Sequence, residues 1–394
     1  MNKTKLRIAI VVPHLFMQDY YLKNAIFSPG HLAVDLCSGL ISLGHSVTLF
    51  SPNKVTIKNI PNITSDYSLI EKELTSRGYG LNELMAKHPL TYITFARQLE
   101  AEIINKAYSM ANSGEFHVVH IYINEEDIAM QFANLCNKPV VFTHHEPFNF
   151  LTRYRTSFEH FKHLNWLSIS YSQRKTISTE LNWIANIYHG IESVNNSYLK
   201  SLELSTEDYV VFFGRVIEPK GVHLAIKAVK ELNKQTGKQL KLKIAGKHYS
   251  DQDDYWQEKI LPFIDNQDIE YIGFINNELE RDKLLYNAKA MIMPSTWSEP
   301  FGMVILESLR LGTPVIGFNS GALPEIIKNN VNGLLSNIIY KDNKIDEDST
   351  VSGLVNNLKE LPLINKKNCI ESCNKNFSIK RMVTDHLNAY SALL

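Results

Sequence analysis

Glu299-Pro300-Phe301-Gly302-Met303-Val304-Ile305-Leu306-Glu307 sets two carboxylates eight positions apart around a helix start. The residues between them are small or apolar. Pro300 suits the first turn of a helix, because the N–H it lacks would have no partner there. From Met303 the pattern of Val304, Leu306-Glu307 and Leu309-Arg310 runs as a helix, with Gly312 as its stop. Phe301, Gly302 and Met303 then offer backbone N–H groups at the positive end of a helix dipole, a seat for phosphate. Glu299 stands ahead of that seat. Glu307 follows about two turns along, up to roughly 12 Å away at 1.5 Å rise per residue. An anion flanked by two hydroxyl-binding carboxylates describes a nucleotide sugar: hexose, diphosphate, ribose. Any surface helix can carry two glutamates, so the spacing needs support from its surroundings.

Outward from this stretch, Trp297-Ser298-Glu299-Pro300-Phe301-Gly302, Leu311-Gly312-Thr313-Pro314-Val315-Ile316 and Gly321-Ala322-Leu323-Pro324-Glu325 follow in order. Their spacing resembles that of retaining family 4 glycosyltransferases. Upstream, Phe213-Gly214-Arg215-Val216-Ile217-Glu218-Pro219-Lys220-Gly221 looks like the family's phosphate-binding turn. Downstream, Phe377-Ser378 and Arg381-Met382 are similar to its terminal helix. The likeness is dense from about Ser168 to Thr313 and onward to Asn332, and thinner in the first half.

The resemblance implies an α/β chain of the GT-B type. That means two facing, doubly wound, Rossmann-like domains with an interdomain cleft and a C-terminal helix crossing back. It also implies a metal-independent hexosyltransferase that keeps the anomeric configuration, with the leaving phosphate taking the acceptor proton on the same face. No cofactor is expected; the donor substrate is a nucleoside diphosphate sugar, with uridine ahead of guanosine. The acceptor is a hydroxyl, in cell-envelope polysaccharide or glycoconjugate synthesis. Rival readings are a nucleotide-sugar epimerase or a phosphorylase of similar fold, and a non-catalytic sugar-nucleotide binder.

Length and composition agree with two domains. A chain of 394 residues exceeds one ordinary core, and 44% hydrophobic content is that of a soluble globular protein. With 41 basic and 41 acidic residues, no global field draws it to nucleic acid. The longest apolar runs, Ile8-Ala9-Ile10-Val11-Val12 and Tyr209-Val210-Val211-Phe212-Phe213, are strand-sized rather than membrane-spanning. Met1-Asn2-Lys3-Thr4-Lys5 leads straight into a strand without a cleavage-site pattern, and the four cysteines (Cys37, Cys136, Cys369, Cys373) read as reduced thiols. The expected location is the cytoplasm.

Along the first half, strand Leu6–Val12, a helix over His31–Leu43 and strand Val47–Phe50 make a βαβ unit. Helical patterns fill Tyr67–Met110. Strands then fall at Val118–Ile121, Val140–Phe142, Trp166–Ser170 and Trp183–Tyr188. The polar stretch Glu192–Asp208 reads as the interdomain connection. The rhythm restarts at strand Tyr209–Phe213, followed by a helix with Val222, Ala225, Ile226, Val229 and Leu232 on one stripe. Strands at Leu240–Ala245, Ile269–Ile272, Ala290–Met293 and Pro314–Gly317 complete it, and Tyr340–Thr350 reads as a charged loop. The expected domains are 1–191, joined by 377–394, on the acceptor side, and 205–376 on the donor side.

Strand ends carry the chemistry in such folds. Arg215 and Lys220 flank the loop after Phe213, a fixed fork and a mobile ammonium suited to one diphosphate. His145 follows strand Val140–Phe142 and matches the family's His against the donor sugar, while His144 and Glu146 beside it are less fixed. Pro29-Gly30-His31 precedes the first helix; the family usually has a glycine pair there that approaches the diphosphate, and His31 departs from it. His120 is expected to end strand Val118–His120, with Tyr122 where the family often has a second His. The resemblance thus implies His145, Glu299, Arg215 and Lys220 as catalytic, and Arg215, Lys220, Glu299, Phe301, Gly302, Met303, Glu307 and Gly30 as donor-binding.

Two acidic triplets, Asp251-Gln252-Asp253 and Asp346-Glu347-Asp348, imitate a metal clamp but follow no hydrophobic strand directly, so they read as solvated turns and no metal is required. Leu151, Tyr154, Phe158 and Phe161 share a helical face, with Arg153, Arg155, Lys162 and His163 around it. A core-facing helix is the commoner explanation. The alternative is weak peripheral membrane contact with an anionic or lipid-linked acceptor.

Overall fold

The computed structural model describes residues 5–24, 27–123, 127–150, 157–202, 204–205, 207–248, 250 and 253–394. The chain divides into two compact units. The first is Met1–Tyr188 with Ile379–Leu394, and the second is His189–Ser378.

The first unit is built on a seven-stranded sheet. Its strands are β1 (Arg7–Val11), β2 (Ser46–Ser51), β3 (Asn62–Thr64), β4 (Val118–Ile123), β5 (Val140–His144), β6 (Asn165–Ser168) and β7 (Trp183–Asn186). They lie in the order β3-β2-β1-β4-β5-β6-β7, every pair parallel. Parallel strands covered on both faces read as continuous apolar runs, and Ile8 to Val11 and all of β4 are buried. Helices Ser28–Ser42 and Pro89–Asn112 are among those covering the sheet, the second through Ile103, Ile104, Ala107 and Ala111. The last helix, Ile379–Ser391, returns to this unit and packs on Ser28–Ser42. Arg381 at its start donates to Tyr188 O at 2.6 Å.

The second unit has a six-stranded parallel sheet. Its strands are β8 (Tyr209–Phe213), β9 (Lys241–Ala245), β10 (Ile269–Gly273), β11 (Met291–Met293), β12 (Val315–Phe318) and β13 (Gly333–Ser336), in the order β10-β9-β8-β11-β12-β13. Helix Val222–Thr236 buries the stripe Val222, Ala225, Ile226, Val229 and Leu232, as its periodicity predicts, and ends on the left-handed Gly237. The expectation of two doubly wound parallel-sheet domains therefore holds.

Several local expectations change. The stretch read as a bare connection contains helix Asn196–Ser201, capped by the Asn195 side chain and tied to this unit when Tyr198 Oη donates to Asp282 Oδ2 at 2.8 Å. The charged loop after Tyr340 holds a two-stranded hairpin, β14 (Tyr340–Lys341) with β15 (Lys344–Ile345), and then helix Glu347–Glu360. Asp346 caps that helix and Glu347 pairs with Lys227, so two members of the second acidic triplet have structural partners. In the first triplet, residues 251–252 lie outside the described residues, as do 151–156 of the basic aromatic face; Phe158 on that face is a core residue. Cys369 and Cys373 are buried and free, each directed at a backbone carbonyl. No described helix is long and apolar enough to cross a membrane.

Candidate functional site

Strands β8 and β11 are neighbours, yet the chain leaves them toward opposite edges of the sheet. Open α/β sheets bind ligands outside the carboxyl ends at such a switch point. Two loops meet there: Thr296 N donates to Pro219 O at 2.9 Å, and Ser295 Oγ lies 3.2 Å from the same carbonyl. Gly221 has φ 70°, and a Cβ on it would overlap Pro294 O, so a larger residue would push the loops apart. A third loop joins them where Ala322 N donates to Glu299 O at 2.9 Å.

The sequence motifs thereby become one constellation. Lys220 Nζ donates to Glu299 Oε1, and Ser295 Oγ donates to the same oxygen at 2.8 Å. Only 4% of the Glu299 side chain and 15% of the Lys220 side chain is exposed. A carboxylate so buried needs a counter-charge and hydrogen bonds, and these two partners supply them. Lys220 Nζ also stands 5.4 Å from the Trp297 ring centroid. Half-buried Arg215 lies on the same loop as Lys220, whose backbone is anchored by Gly214 N to Ala245 O and Val216 N to Lys247 O, each 3.0 Å. Ser295 escaped the sequence reading; its only local signal was a hydroxyl two residues beyond a strand end.

The helix starts at Met303, as its pattern predicts, but Pro300 is not in its first turn. It spans Met303–Arg310, with Gly302 as N-cap at φ 97°. Pro300 and Phe301 are not in its first turn, because the chain turns through the left-handed Gly302 and the Glu299 carbonyl is held by the third loop. Phe301 is buried, its ring 4.7 Å from His189 and 6.3 Å from Phe377. By helix geometry Gly302, Met303 and Val304 open the N-terminus instead.

Glu307, one face further along, sits among charges. Its Oε2 is 3.5 Å from Arg281 Nε. Arg310 donates through one nitrogen to both oxygens of buried Asp282 at 2.9 and 2.8 Å, and reaches Glu278 at 3.3 Å. Burial pushes the Glu307 carboxyl up, Arg281 and then Arg310 pull it down, and Asp282 and Glu278 add to the upward push. Sequence reading missed Arg281, whose role depends on the packing of helix Glu278–Asn287 against Met303–Arg310.

In the first unit His145 lies just past β5, its ring stacked on buried Tyr122 at 4.9 Å and 19°. Gln173 Nε2 donates to His144 O at 2.8 Å and Glu146 O at 3.0 Å, fixing the backbone on both sides of His145. His144 belongs to β5 and is fully buried; burial holds its pKa at about 4. His120 does not end its strand. It lies inside β4, fully buried, bonded to Tyr390 Oη and Thr143 Oγ1 at 2.7 Å each, and burial keeps it neutral well below the usual imidazole range. Gly30 does not precede the helix. It is in the first turn, its N–H donates to Phe27 O at 3.1 Å, and a Cβ would press on Phe27 and Leu22, so the residue serves close packing. Among the described residues no group of three or more His, Cys, Asp or Glu is placed to hold a metal.

Residues 196–344 match the family described as glycosyl transferases group 1, which covers most of the loops just described. An uncharacterized glycosyltransferase of Methanocaldococcus jannaschii is 24% identical over 335 residues, 76% of this chain and 78% of the relative. Among solved structures, sucrose-phosphate synthase of Thermosynechococcus elongatus superposes with TM-score 0.68 at 16% identity, covering 99% of each chain. The Anabaena protein HepE in complex with UDP and glucose gives TM-score 0.65 at 16% identity, covering 98% of this chain and all of that one. At such identities the structural likeness shows the fold, which is that of GT-B glycosyltransferases.

Proposed function

We propose that this group 1 glycosyltransferase moves a hexose from a nucleoside diphosphate sugar, UDP ahead of GDP, to an acceptor hydroxyl with retention of anomeric configuration. One observation carries the reading: Lys220, Glu299 and Ser295 form a buried, hydrogen-bonded group at the β8/β11 switch point. A diphosphate there competes with a single carboxylate for the ammonium, and charge growing on the leaving phosphate strengthens that contact. Arg215 and the N-terminus of helix Met303–Arg310 add positive potential, so the phosphate charge is met without a metal. Glu299, once shared with the sugar, accepts from its hydroxyls; Glu307 accepts from the ribose. His145 meets the donor sugar near the reacting carbon. The leaving phosphate takes the acceptor proton on the attacked face.

The acceptor belongs to cell-envelope polysaccharide or glycoconjugate synthesis in the cytoplasm. HepE, solved with UDP and glucose, supports uridine as the base to try first. Thermal-shift screening with UDP, GDP and ADP ranks the bases, since a true ligand raises stability by mass action. Incubation with UDP-α-hexose donors and a panel of hydroxyl acceptors, in EDTA, then yields an α-glycoside read by the anomeric proton signal. A β product removes the retaining assignment, and binding without sugar release from the nucleotide favours a silent binder.

A further inference from the structure

We infer that Arg281 is a positioning residue that aims the Glu307 carboxylate at the nucleotide ribose and so sets discrimination between ribose and deoxyribose. This rests on the donor assignment above. Three carboxylates (Glu278, Asp282, Glu307) and two guanidinium groups (Arg281, Arg310) crowd the contact between helices Glu278–Asn287 and Met303–Arg310. The NH2 nitrogen of Arg310 serves Asp282 and Glu278, and Tyr198 Oη also donates to Asp282. That nitrogen of Arg310 is thereby committed to the other two acids. Arg281 is the cation nearest Glu307.

The geometry is specific about which oxygen is used. Glu307 Oε2 and Arg281 Nε are both buried and make no hydrogen bond to any described protein atom, yet they face each other at 3.5 Å. Oε2 is thus the oxygen turned inward, and the 20% exposure the side chain keeps lies on its remaining atoms. An ion pair of this length orients the carboxylate through Oε2 and leaves the lone pairs of Oε1 available for two vicinal hydroxyls. Without Arg281, repulsion from Asp282 and Glu278 and the cost of burial would turn the carboxylate away or protonate it.

The experiment measures dissociation constants of UDP and its 2′- and 3′-deoxy analogues, with steady-state kinetics on the UDP-sugar. Four proteins are compared: wild type, Glu307→Ala, Arg281→Gln and Arg281→Lys. The wild type is expected to prefer UDP over the deoxy analogues about tenfold, and Glu307→Ala to erase that preference. Arg281→Gln should bring the ratio to within about twofold of Glu307→Ala and raise donor KM about tenfold, with kcat little changed. Arg281→Lys should restore at least half of the preference on a logarithmic scale. A preference retained by Arg281→Gln overturns the inference. Equal weakening of UDP and deoxy-UDP in Arg281→Gln overturns it too, since the arginine would then serve the phosphates or the fold. If the wild type and Glu307→Ala discriminate alike, the ribose assignment of Glu307 fails first and the role of Arg281 falls with it.

Discussion

The two sheets end in different chemistry at their switch points. Beyond β8 and β11 stand a lysine and a buried glutamate already paired with each other, and an arginine on the same loop as the lysine. Beyond β1 and β5, and at the end of β4, stand rings: His14 stacked on Phe27 at 4.8 Å, and Tyr122 stacked on His145 at 4.9 Å. The buried imidazoles behind them, His120 and His144, are held neutral by desolvation. A charge cannot be left buried alone, so Lys220 and Glu299 pair internally, and under the proposed function a diphosphate competes for that cation. The rings past the strand ends of the first unit would, under the proposed function, face a sugar or a hydroxyl acceptor. The proposed division of function follows this electrostatic line.

The largest expected effect falls on the charged end. Lys220→Ala and Arg215→Ala should each lower kcat/KM tenfold to a thousandfold, about 1.4–4 kcal/mol of transition-state stabilisation. Lys220→Ala also strands Glu299 without its cation and should destabilise the fold, so Lys220→Met with Glu299→Gln is the informative partner. That double variant should melt near wild type and remain inactive. Full activity in folded Lys220→Ala would break the assignment of charge to the second unit.

Next comes acid stability, which should tell the units apart. Burial depresses the folded-state pKa of His144 and of His386 to about 4, against 6.5 for a free imidazole. Above pH 6.5 both states are neutral and stability is full. As pH falls from 6.5 toward 4, only the unfolded chain takes the proton, so each residue removes on the order of 3 kcal/mol. In the second unit His223 is also depressed, but Glu207 and Glu347 are held low by lysines, and their contribution is lost only below the usual carboxylate range. Hydrogen exchange at pH 7 and pH 5 should therefore show protection lost first in the first unit. His386→Gln should flatten the pH dependence between 6.5 and 4; an unchanged slope would refute this account.

The two glutamates give a smaller and more pointed contrast. Glu307→Ala should weaken UDP binding by about 1–3 kcal/mol, the usual worth of a charged hydrogen bond, and raise KM. Glu299→Gln should do the reverse to affinity. It frees Lys220 for the diphosphate, so UDP should bind no worse and up to about tenfold tighter, roughly 1.4 kcal/mol, while kcat falls. Calorimetry with UDP beside kinetics reads both, and weaker UDP binding by Glu299→Gln would reverse the orientation of the ligand. Smallest is the ring stack: Tyr122→Leu should cost about 0.5–1.5 kcal/mol and show in kcat rather than UDP affinity.

Much of this was legible in sequence because it is local. The apolar runs Ile8–Val12 and Tyr209–Phe213 are strand-sized, and the βαβ rhythm around them reads as parallel strands. The stripe Val222 to Leu232 announced a helix with one face in the core. Lys220 and Glu299 were found by motif, each on the loop after a strand. Gly30 and Pro300 were misplaced because a turn signal marks where a chain bends and not on which side the helix begins. Ser28 and Pro29 entered the first helix, and the turn at Gly302 keeps Pro300 out of the second.

Sequence by itself determined the alternation of strands and helices, the two-sheet architecture and the residue types at the strand ends. Tertiary structure alone decided the partners. Lys220 meets Glu299 across 79 positions because β8 and β11 are neighbours in the sheet. His120 is buried by Tyr390, 270 positions away, because the last helix returns to the first unit. Arg281 faces Glu307 because two helices pack side by side. Periodicity and propensity act over a few residues and leave a local trace. Charge pairing and desolvation depend on distance in space, which is fixed only once strand order and chain return are set.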